Sequence, residues 1–374
     1  MTGLIVHEWI APHGGSENVL EQMVAAFPDA RLHALWNDAP DRFPHATESW
    51  LARTPLRRWK AASLPLLPAT WRRTSTADAD WVLVSSHLFA HHVGGPGRPE
   101  WPPKFVYVHT PARYVWTPED DARGRHPVAR LLAPSLRRLD RRRAAEGARF
   151  AANSAFVRER IAQTWQQEAD VIHPPVRVEL LQSVPDWADT LGAEDAAALA
   201  ALPAEFVLGA SRFVDYKRLD LAVRTGEALG LPVVLAGAGP QRAELAALAE
   251  AATVPVTIVD RPSDALLYAL LQRARLFVFP PVEDFGIMPV EAMALGTPVL
   301  VNARGGARES VEALGGGAVF ESTDPAELAR AADTALRVDA AAAARAAGPL
   351  FGEAAFRTRL TAWMTSHGAD TAPR

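Results

Sequence analysis

The stretch "ARLFVFPPVEDFGIMPVEAMALGTPVLVNA" covers residues 274–303 and contains two apolar runs separated by a loop and a helix-like segment. The runs "ARLFVFP" and "PVLVNA" are rich in residues that favour strands, and residues 288–295 between them have a helical composition. A strand, a helix and a second strand in this order form the repeating unit of a parallel β-sheet. The stretch therefore predicts an α/β protein.

The same alternation extends along most of the chain and forms two series. Strand-like runs occupy residues 3–9, 81–87, 104–110, 149–154 and 170–175 in the first series, and residues 205–211, 232–239, 254–260, 274–280 and 298–303 in the second. Helices are predicted at residues 16–27, 154–166, 217–229, 240–252, 263–273, 288–295 and 325–337. Strands that alternate with helices indicate sheets covered on both faces, so we predict two doubly wound, Rossmann-like domains.

The chain length agrees with two domains, because 374 residues exceed what one hydrophobic core normally organises. The boundary is expected between Pro174 and about Pro203, where "HPPV" restricts the backbone and an acidic, Ala-rich stretch follows. Open α/β sheets bind ligands at the carboxyl ends of their strands. We therefore expect the ligand site in a cleft between the two domains.

Composition limits the classes of partner. The net charge is −4 and charged residues make up 22% of the chain, which gives no reason to expect nucleic acid. The absence of cysteine excludes disulfides, thiolate zinc sites and a cysteine nucleophile. We expect no signal peptide, because "MTGLIVHEW" leads directly into a strand-like run, and we expect no membrane-spanning helix, because no apolar segment is long enough to span a bilayer. We expect a cytoplasmic protein that meets a membrane only at its surface.

Two loops have the composition of anion-binding sites. Gly14 and Gly15 follow the first strand and precede a helix, whose free N–H groups suit phosphate, although a plain turn capped by Ser16 explains them equally well. Arg212 ends a strand and Lys217 enters the next helix, so the two cations can converge on one anion. A pair of solvated surface cations is the alternative.

Two further patterns resemble a dinucleotide-binding turn and a metal site, but neither matches fully. Gly237 and Gly239 resemble a dinucleotide-binding turn, but Arg242 stands where the third glycine belongs, which weakens a nicotinamide enzyme as the interpretation. Residues 78–80 ("DAD") precede a strand and are better explained as a turn than as a metal site. No metal and no cofactor are assigned.

The opening stretch also contains two carboxylates, Glu283 and Glu291, around a Phe-Gly turn. Carboxylates accept hydrogen bonds from hydroxyl groups, so the pair suits a polyhydroxylated ligand such as a sugar or a ribose. Gly286 can expose backbone N–H groups at a helix start, which suits phosphate. Two solvated acids on a helix are the alternative, but the apolar neighbours of Glu291 argue against full solvation.

These residues together carry a resemblance to a known family. Glu283 and Glu291 form an E-x7-E pattern that resembles the hallmark of retaining glycosyltransferases of family 4, which have the GT-B fold of two facing Rossmann-like domains. Four further segments resemble family motifs in the same order, namely "GGSENVL" (14–20), "GASRFVDYKRLDLAV" (209–223), "VVLAGAGP" (233–240) and "NARGGARESV" (302–311). The resemblance covers nearly the whole chain.

The resemblance implies a domain plan and roles for individual residues. Residues 1–175 would bind the acceptor, residues 176–350 the nucleotide sugar, and a helix in residues 351–374 would cross back to the first domain. His109 and Glu283 would be catalytic. The residues implied to bind the donor are Gly14, Gly15, Arg212, Lys217, Asp284, Phe285, Gly286, Ile287 and Glu291.

A more specific resemblance concerns the acceptor side. The segment "HTPARYVWTPED" (109–120) is similar to that of bacterial mannosyltransferases that build polysaccharides, including O-antigens, from GDP-mannose, with Ala112 and Thr117 replacing the usual Met and Asp. Arg113, Tyr114 and Trp116 would face the acceptor. The similarity implies retaining, metal-independent transfer of a hexose, with mannose from GDP-mannose favoured, to a lipid-linked or glycan acceptor.

Residues 49–77, named here the basic segment, contain six basic residues, three tryptophans and no acid. Such a composition is typical of a contact with an anionic membrane surface or an acceptor lipid, expected here on the inner face of the plasma membrane. A solvated helical hairpin with tryptophan in the core is the alternative. The residues predicted to make the contact are Arg57, Arg58, Trp59, Lys60, Arg72 and Arg73.

Three other functions remain open from the sequence. A nucleotide-sugar epimerase of the same fold would not need the basic segment, and fold analogy alone does not exclude it. A UDP-sugar-dependent transferase would differ only in its donor. A lipid-binding or nucleotide-binding protein without catalysis would not need Glu283.

Overall fold

The structure is a computed structural model that describes residues 2–95, 101–117 and 127–370, with all side chains in these ranges except those of Ala61, Tyr114 and residues 127–132. The chain divides into two compact units. Unit 1 comprises residues 1–175 and 356–374, and unit 2 comprises residues 176–355.

Unit 1 is built on a parallel sheet in the strand order β3-β2-β1-β4-β5-β6-β7. Its strands are β1 (Gly3–His7), β2 (Arg31–Ala34), β3 (Ala46–Glu48), β4 (Trp81–Ser86), β5 (Lys104–Val108), β6 (Arg149–Ala152) and β7 (Asp170–Val171). Its helices before the domain boundary are α1 (Gly15–Ala26), α2 (Lys60–Ser63), α3 (Leu67–Arg73), α4 (Arg113–Trp116), α5 (Pro127–Ala144) and α6 (Ala155–Trp165). Short 3-10 turns lie at Trp50–Arg53, Pro55–Arg57, Leu64–Leu66 and Ala90–His92.

Unit 2 is built on a second parallel sheet in the order β10-β9-β8-β11-β12-β13. Its strands are β8 (Val207–Arg212), β9 (Val233–Ala238), β10 (Val256–Asp260), β11 (Leu276–Phe279), β12 (Val299–Asn302) and β13 (Gly317–Phe320). Its helices are α7 (Val178–Ser183), α8 (Ala193–Ala200), α9 (Asp220–Leu229), α10 (Arg242–Ala251), α11 (Asp264–Arg273), α12 (Ile287–Ala294), α13 (Ala307–Leu314), α14 (Pro325–Ala335) and α15 (Ala340–Phe351). Short 3-10 turns lie at Trp187–Thr190 and Asp215–Lys217.

The last helix, α16 (Glu353–Ser366), packs on the sheet of unit 1. Phe356, Leu360 and Trp363 join the core on the face formed by the odd-numbered residues of β1, β4 and β5. The indole N–H of Trp363 also donates to Asp170 Oδ2 at 2.8 Å.

Both sheets are buried on both faces, which explains why the central strands are continuous apolar runs. In β1, Val6 belongs to one core cluster and Ile5 to the cluster on the opposite face. In β8, Leu208 and Val207 divide in the same way. The predicted fold class is confirmed, because the described residues form two parallel-sheet, Rossmann-like units.

Some predicted elements differ from the structure. Strands β2, β3 and β13 were not predicted, because β2 ("RLHA") and β3 ("ATE") contain polar residues and β13 begins within three consecutive glycines. The strand expected at residues 170–175 ends at Val171, since Pro174 and Pro175 cannot donate to a sheet. Lys217 lies in a 3-10 turn and not in α9, because Arg218 adopts a left-handed conformation before that helix begins.

None of the helices in the described part of the chain is long and apolar enough to cross a lipid bilayer.

Candidate active site

Each sheet changes its winding direction at one pair of neighbouring strands. The pair is β1 and β4 in unit 1, and β8 and β11 in unit 2. The connections that leave such a pair run in opposite directions across the sheet, and open α/β sheets bind ligands at the crevice this leaves at the carboxyl ends. The polar side chains that follow these four strands are therefore the candidates for a site.

In unit 2, four such side chains lie in two contacting pairs. Lys217 Nζ donates to Glu283 Oε1 at 2.6 Å, and both side chains are largely buried. Arg212, at the end of β8, donates through Nη2 to Tyr216 Oη at 2.8 Å. The structure thus pairs Lys217 directly with the catalytic candidate Glu283, and links Arg212 to the turn that contains Lys217.

Tyr216 is a member of this cluster that the sequence analysis missed. Lys217 Nζ lies 5.3 Å from the centroid of the Tyr216 ring and 5.6 Å from that of Phe279. Ring faces attract an ammonium group, so the two aromatics help to hold Lys217 in place. The signal that could have revealed Tyr216 is an aromatic residue directly before a candidate phosphate-binding lysine at a strand end.

Two loops approach each other closely beside this cluster, one at residues 283–286 and the other at residues 303–306. The N–H of Gly306 donates to Glu283 O at 2.8 Å. A Cβ on Gly306 would lie 2.1 Å from Asp284 O, and one on Gly305 would lie 2.8 Å from Glu283 O. Only glycine fits at such distances, so both positions are fixed by the approach of the loops.

The same loops lead into the amino-terminal ends of two helices. Gly286, with φ of 87°, precedes Ile287 at the start of α12, and Gly306 precedes α13. The first N–H groups of a helix have no partner within the helix and favour anions. Asp284 lies in the first loop, whereas the Phe285 side chain is buried in the core of unit 2, so only its backbone is suited to a ligand.

Glu291, the second carboxylate of the opening stretch, lies in the second turn of α12. Burial raises the pKa of its carboxyl to about 7; Asp264 raises it further, and Arg177 opposes the shift. Burial also raises the pKa of Tyr268 to about 12, and Glu291 adds to that shift. Glu291 is therefore half-buried, lies within electrostatic range of Asp264 and Arg177, and has a pKa of about 7.

In unit 1, the corresponding edge contains three side chains in one hydrogen-bonded chain. His7 Nδ1 lies 2.9 Å from Ser85 Oγ, and Ser85 Oγ lies 2.8 Å from His109 Nε2. Burial lowers the pKa of His109 to about 4, and burial together with the charge of His109 lowers that of His7 to about 3. The catalytic candidate His109 is therefore neutral at physiological pH. Sequence reasoning missed His7 and Ser85.

Glu8 follows β1 at the same edge and is fully buried. Its carboxylate accepts the N–H groups of His87 at 3.0 Å, Leu88 at 3.1 Å and Ala90. Burial raises the pKa of this carboxyl to about 7, although the N–H groups oppose the shift. Glu8 thus fixes the loop after β4, which contains His87.

Gly14 and Gly15 form the junction between the first loop and α1, which begins at Gly15. Ser16 does not cap this helix; its hydroxyl bonds the side chain of Glu17 at 2.9 Å instead. Glu17 is buried and accepts the N–H of Ala11 at 3.0 Å. The glycine loop is therefore held by a carboxylate of α1.

The acceptor-side candidates lie in or next to α4. Arg113 begins this helical turn and is partly exposed. The indole N–H of Trp116 donates to the buried Asp140 Oδ2 at 2.7 Å, so that side of the ring is bound inside unit 1. The side chain of Tyr114 lies outside the part of the chain that the structure describes.

The residues predicted to contact a membrane or lipid divide into two groups. Arg57 pairs with Asp38 at 2.6 Å, and Arg72 pairs with Glu146 at 2.7 Å, so acids from outside the basic segment engage both arginines. The other group is exposed and comprises Arg58, Trp59, Lys60 and Arg73. A sequence window cannot reveal the first group, because its acids lie in other elements.

Lys60 connects the basic segment to the edge of unit 1. Its Nζ lies 4.6 Å from the centroid of the Trp9 ring, and Trp9 stacks on Trp36 with centroids 5.5 Å apart. The His87 ring lies against Trp9 at 4.9 Å. Trp9 is therefore a further residue of this edge that the sequence analysis did not identify.

A buried polar centre in unit 1 joins residues that the sequence analysis did not connect. His91, His92 and Asp140 have potential metal-ligand atoms within 4.8 Å of one another. Asp140 Oδ1 lies 2.9 Å from His92 Nε2, and Oδ2 accepts the indole N–H groups of Trp116 and Trp165, each at 2.7 Å. Both carboxylate oxygens are thus engaged in hydrogen bonds, and we interpret the cluster as a structural centre of the core.

Comparison with known proteins adds information on sequence and fold. Residues 194–347 match the family model described as glycosyl transferases group 1. The alpha-1,3/1,6-mannosyltransferase alg-2 of Neurospora crassa is 27% identical over 227 residues, which are 50% of this chain and 48% of that protein. The match thus spans about half the length of this curated relative.

Solved structures are similar over nearly the whole chain. The structure of Anabaena HepE in complex with UDP aligns with a TM-score of 0.73 and 17% sequence identity. The alignment covers 98% of this chain and 100% of the HepE chain. Sucrose-phosphate synthase from Thermosynechococcus elongatus has a TM-score of 0.69 at 19% identity, and the alignment covers 98% of this chain and 99% of the synthase chain. WaaG, a glycosyltransferase involved in lipopolysaccharide biosynthesis, has a TM-score of 0.63 at 15% identity, and the alignment covers 99% of this chain and 100% of the WaaG chain. The chain therefore has the fold of GT-B glycosyltransferases, and residues 194–347 match a group 1 glycosyl transferase domain.

Proposed function

We propose that this protein is a retaining, metal-independent glycosyltransferase of family 4 that moves a hexose from a nucleoside diphosphate sugar to a lipid-linked or glycan acceptor. The favoured donor is GDP-mannose, and the favoured setting is the synthesis of a cell-surface polysaccharide, such as an O-antigen, or of a glycolipid. Unit 2 binds the donor, and unit 1 binds the acceptor and provides His109.

The observation that carries this proposal is the pairing of Lys217 with Glu283 at 2.6 Å, beside the starts of α12 and α13. The leaving diphosphate gains negative charge as the bond to the sugar breaks. Lys217, Arg212 and the N–H groups of the two helices stabilise that charge. Glu283 accepts hydrogen bonds from the sugar, and Glu291 from the ribose.

Retention follows from the resemblance, and we favour a same-face substitution as its mechanism. In this step the bond between the sugar and the leaving phosphate breaks while the acceptor oxygen attacks from the same side. A phosphate oxygen takes the proton of the acceptor hydroxyl.

The choice of donor rests on two observations that point in different directions. The mannosyltransferase relative and the similarity of residues 109–120 favour GDP-mannose. The similar structure of HepE was solved with UDP-glucose, which supports a UDP-sugar as the alternative. A nucleotide-sugar epimerase is the alternative reaction.

A thermal-shift screen with GDP, UDP and their sugars tests the donor. A ligand that binds the folded state raises the unfolding temperature, so we expect the largest shift with GDP and GDP-mannose. A larger shift with the uridine compounds would select the alternative donor, and no shift with any of them would contradict a nucleotide-sugar enzyme. Incubation of the donor alone separates the reactions, because an epimerase would form the epimer without an acceptor.

The exposed part of the basic segment supports peripheral binding to an anionic membrane on the inner face of the plasma membrane. Trp50 is 49% exposed, Trp59 69% and Leu66 38%, and exposed tryptophan beside arginine favours the membrane interface.

Sedimentation with phosphatidylglycerol vesicles tests this contact. We expect the combined change Arg58→Gln, Trp59→Ser and Arg73→Gln to abolish binding, because these side chains are exposed. The matched control is Arg57→Gln with Arg72→Gln, which removes the same number of arginines from ion pairs and should leave binding largely intact. Equal binding of both variants and the unchanged protein would contradict the contact.

A further inference from the structure

Three neighbouring strands of unit 1 bring His7, Ser85 and His109 together. His7 is paired with Ser85 in the register of β1 and β4, so both side chains leave the same face of the sheet. His109 follows β5 directly, and its Nε2 reaches the same hydroxyl. Ser85 Oγ thus lies between two imidazole rings, at 2.9 Å from His7 Nδ1 and 2.8 Å from His109 Nε2.

The single proton of the Ser85 hydroxyl constrains the directions of its two hydrogen bonds. Ser85 has one proton, so it can donate to only one ring and must accept from the other. Because both rings are neutral, each ring carries one proton, and the direction of the chain determines which nitrogen of His109 is protonated. In either direction His109 has one tautomer, and it can change tautomer only if both hydrogen bonds reverse and His7 changes its tautomer as well.

The remaining contacts of His109 fix its backbone and leave one ring nitrogen for a ligand. Its N–H donates to Ser86 O at 2.8 Å, and its carbonyl accepts from Asn153 Nδ2 at 3.0 Å. The ring lies edge-on to Tyr107 at 5.3 Å and to His87 at 6.3 Å. His109 is partly exposed, and its Nδ1 has no hydrogen-bond partner among the described residues.

We propose that Ser85 and His7 are positioning residues that bind His109 through Nε2 and thereby present Nδ1, in one protonation form, to the sugar substrate. This inference rests on the proposed function of His109 in sugar transfer. Ser85 acts on His109 directly, and His7 acts through Ser85 by fixing the direction of the hydroxyl. The same arrangement explains why a buried histidine and a buried serine occupy the end of two central strands, where apolar residues would pack more simply.

The first experiment compares Ser85→Ala with Ser86→Ala. Ser86 is a matched control, because it is also buried in β4 but points to the opposite face, where its hydroxyl lies 3.3 Å from His91 Nδ1. We expect Ser85→Ala to lower kcat at least roughly tenfold with little change in KM for the donor, as for other residues that orient a histidine. Ser86→Ala should retain kcat. Equal kcat of Ser85→Ala and the unchanged protein would overturn the proposal.

The second experiment compares Asn and Gln at position 109. The amide of Asn occupies the place of Nδ1, whereas that of Gln occupies the place of Nε2. If Nδ1 contacts the substrate, His109→Asn should retain more activity than His109→Gln. The reverse order would overturn the proposal.

The third experiment reads the tautomer without any substrate. Nitrogen-15 spectra of histidine-labelled protein, assigned by the loss of the His109 signals in His109→Asn, should show one tautomer in the unchanged protein and two in Ser85→Ala. Two tautomers in the unchanged protein, or no change in Ser85→Ala, would overturn the inference. Should Ser85→Ala fail to fold, Ser85→Cys weakens the same bond at similar volume and should give the same mixture. Because this measurement needs no activity, it separates failure of the positioning role from failure of the proposed transferase function.

Discussion

Lys217 and Glu283 form an ion pair, so a ligand that binds one of these side chains also affects the other. The proposed function assigns Lys217 to the diphosphate and Glu283 to the sugar, as two separate contacts. Their separation of 2.6 Å shows that the two side chains are in direct contact. Under the proposed function, a diphosphate that binds Lys217 would compete with Glu283 for the ammonium group.

We predict that Lys217→Ala lowers donor affinity and turnover together. Loss of a hydrogen bond to a charged group costs about 1.5–3 kcal/mol, which corresponds to a decrease in kcat/KM of roughly 10- to 100-fold. Steady-state kinetics with varied donor measure the effect. Arg224→Ala is the control, because Arg224 is an exposed cation of the same unit that pairs only weakly, at 3.7 Å, with Asp220. Unchanged kinetics of Lys217→Ala would contradict the assignment.

Glu291 leads to a prediction about pH. Its pKa is raised to about 7 by burial, and a hydroxyl group that donates to the carboxylate favours the ionised form. Nucleotide binding should therefore release a proton, and the affinity should increase as the pH rises from about 6 to 8. Calorimetry in buffers of different ionisation enthalpy measures both effects. Glu291→Gln should remove the proton release, and a pH dependence that persists in this variant would exclude Glu291 as its source.

At the scale of elements, the close approach of the two loops of unit 2 depends on the absence of a side chain at residue 306. Gly306 has an ordinary φ of −73°, so alanine causes no backbone strain there. Its Cβ would nevertheless lie 2.1 Å from a backbone oxygen, and a backbone atom cannot move aside easily. The steric conflict alone therefore determines the effect of the substitution.

We predict that Gly306→Ala separates the loops, lowers the free energy of unfolding of unit 2 by about 1–3 kcal/mol and weakens binding of nucleoside diphosphates. Hydrogen exchange of β8, β11 and β12 in increasing urea measures the stability of unit 2, and calorimetry measures the binding of nucleoside diphosphates. Gly192→Ala is the control, since Gly192 has φ of −68° and a Cβ there meets nothing within 4 Å. Equal stability and affinity of the two variants would show that the loops tolerate the methyl group.

The sequence predicts the elements that have a strong local signal and misses those that depend on distant residues. Ten strands could be predicted because each lies in a segment with consecutive apolar residues, whereas β2 with "RLHA" becomes a strand only by pairing with β1 and β3. Arg212, Lys217 and Glu283 could be named as candidates because each lies at the end of a strand or within five residues after it. Ser85 and His7 could not be identified as partners of His109, because only the register of β1 and β4 brings them together.

At the scale of the whole molecule, the buried titratable groups are unequally distributed between the two units. In unit 1, burial lowers the pKa of His7 to about 3 and of His92 and His109 to about 4, and it raises that of Glu8 to about 7. In unit 2, burial raises the pKa of Glu291 to about 7.

These shifts have opposite effects on stability in mild acid. A histidine whose folded pKa is lowered stabilises the fold fully above its unfolded pKa of 6.5, and this contribution is lost as the pH falls toward the folded value. A carboxyl whose folded pKa is raised binds its proton more strongly in the folded state, so the fold gains stability as the pH falls from about 7 to 4.5. Among the described residues, the three histidines with the largest shifts oppose Glu8 in unit 1 between pH 6.5 and 4.5, and His33 adds to them because burial lowers its pKa as well. In unit 2 the corresponding described group is Glu291.

We therefore predict that acid destabilises unit 1 and stabilises unit 2. Each proton of difference between the folded and unfolded states changes the free energy of unfolding by about 1.4 kcal/mol per pH unit, so the net of two protons in unit 1 gives a slope of up to about 3 kcal/mol per pH unit. Hydrogen exchange at pH 5 and pH 7.5, corrected for intrinsic rates, should show lower protection at pH 5 in β1, β4 and β5 and equal or higher protection in β8, β11 and β12. The variant Glu291→Gln should remove the gain in unit 2 alone, because its amide does not titrate. Equal loss of protection in both units would show that groups other than these control the acid stability.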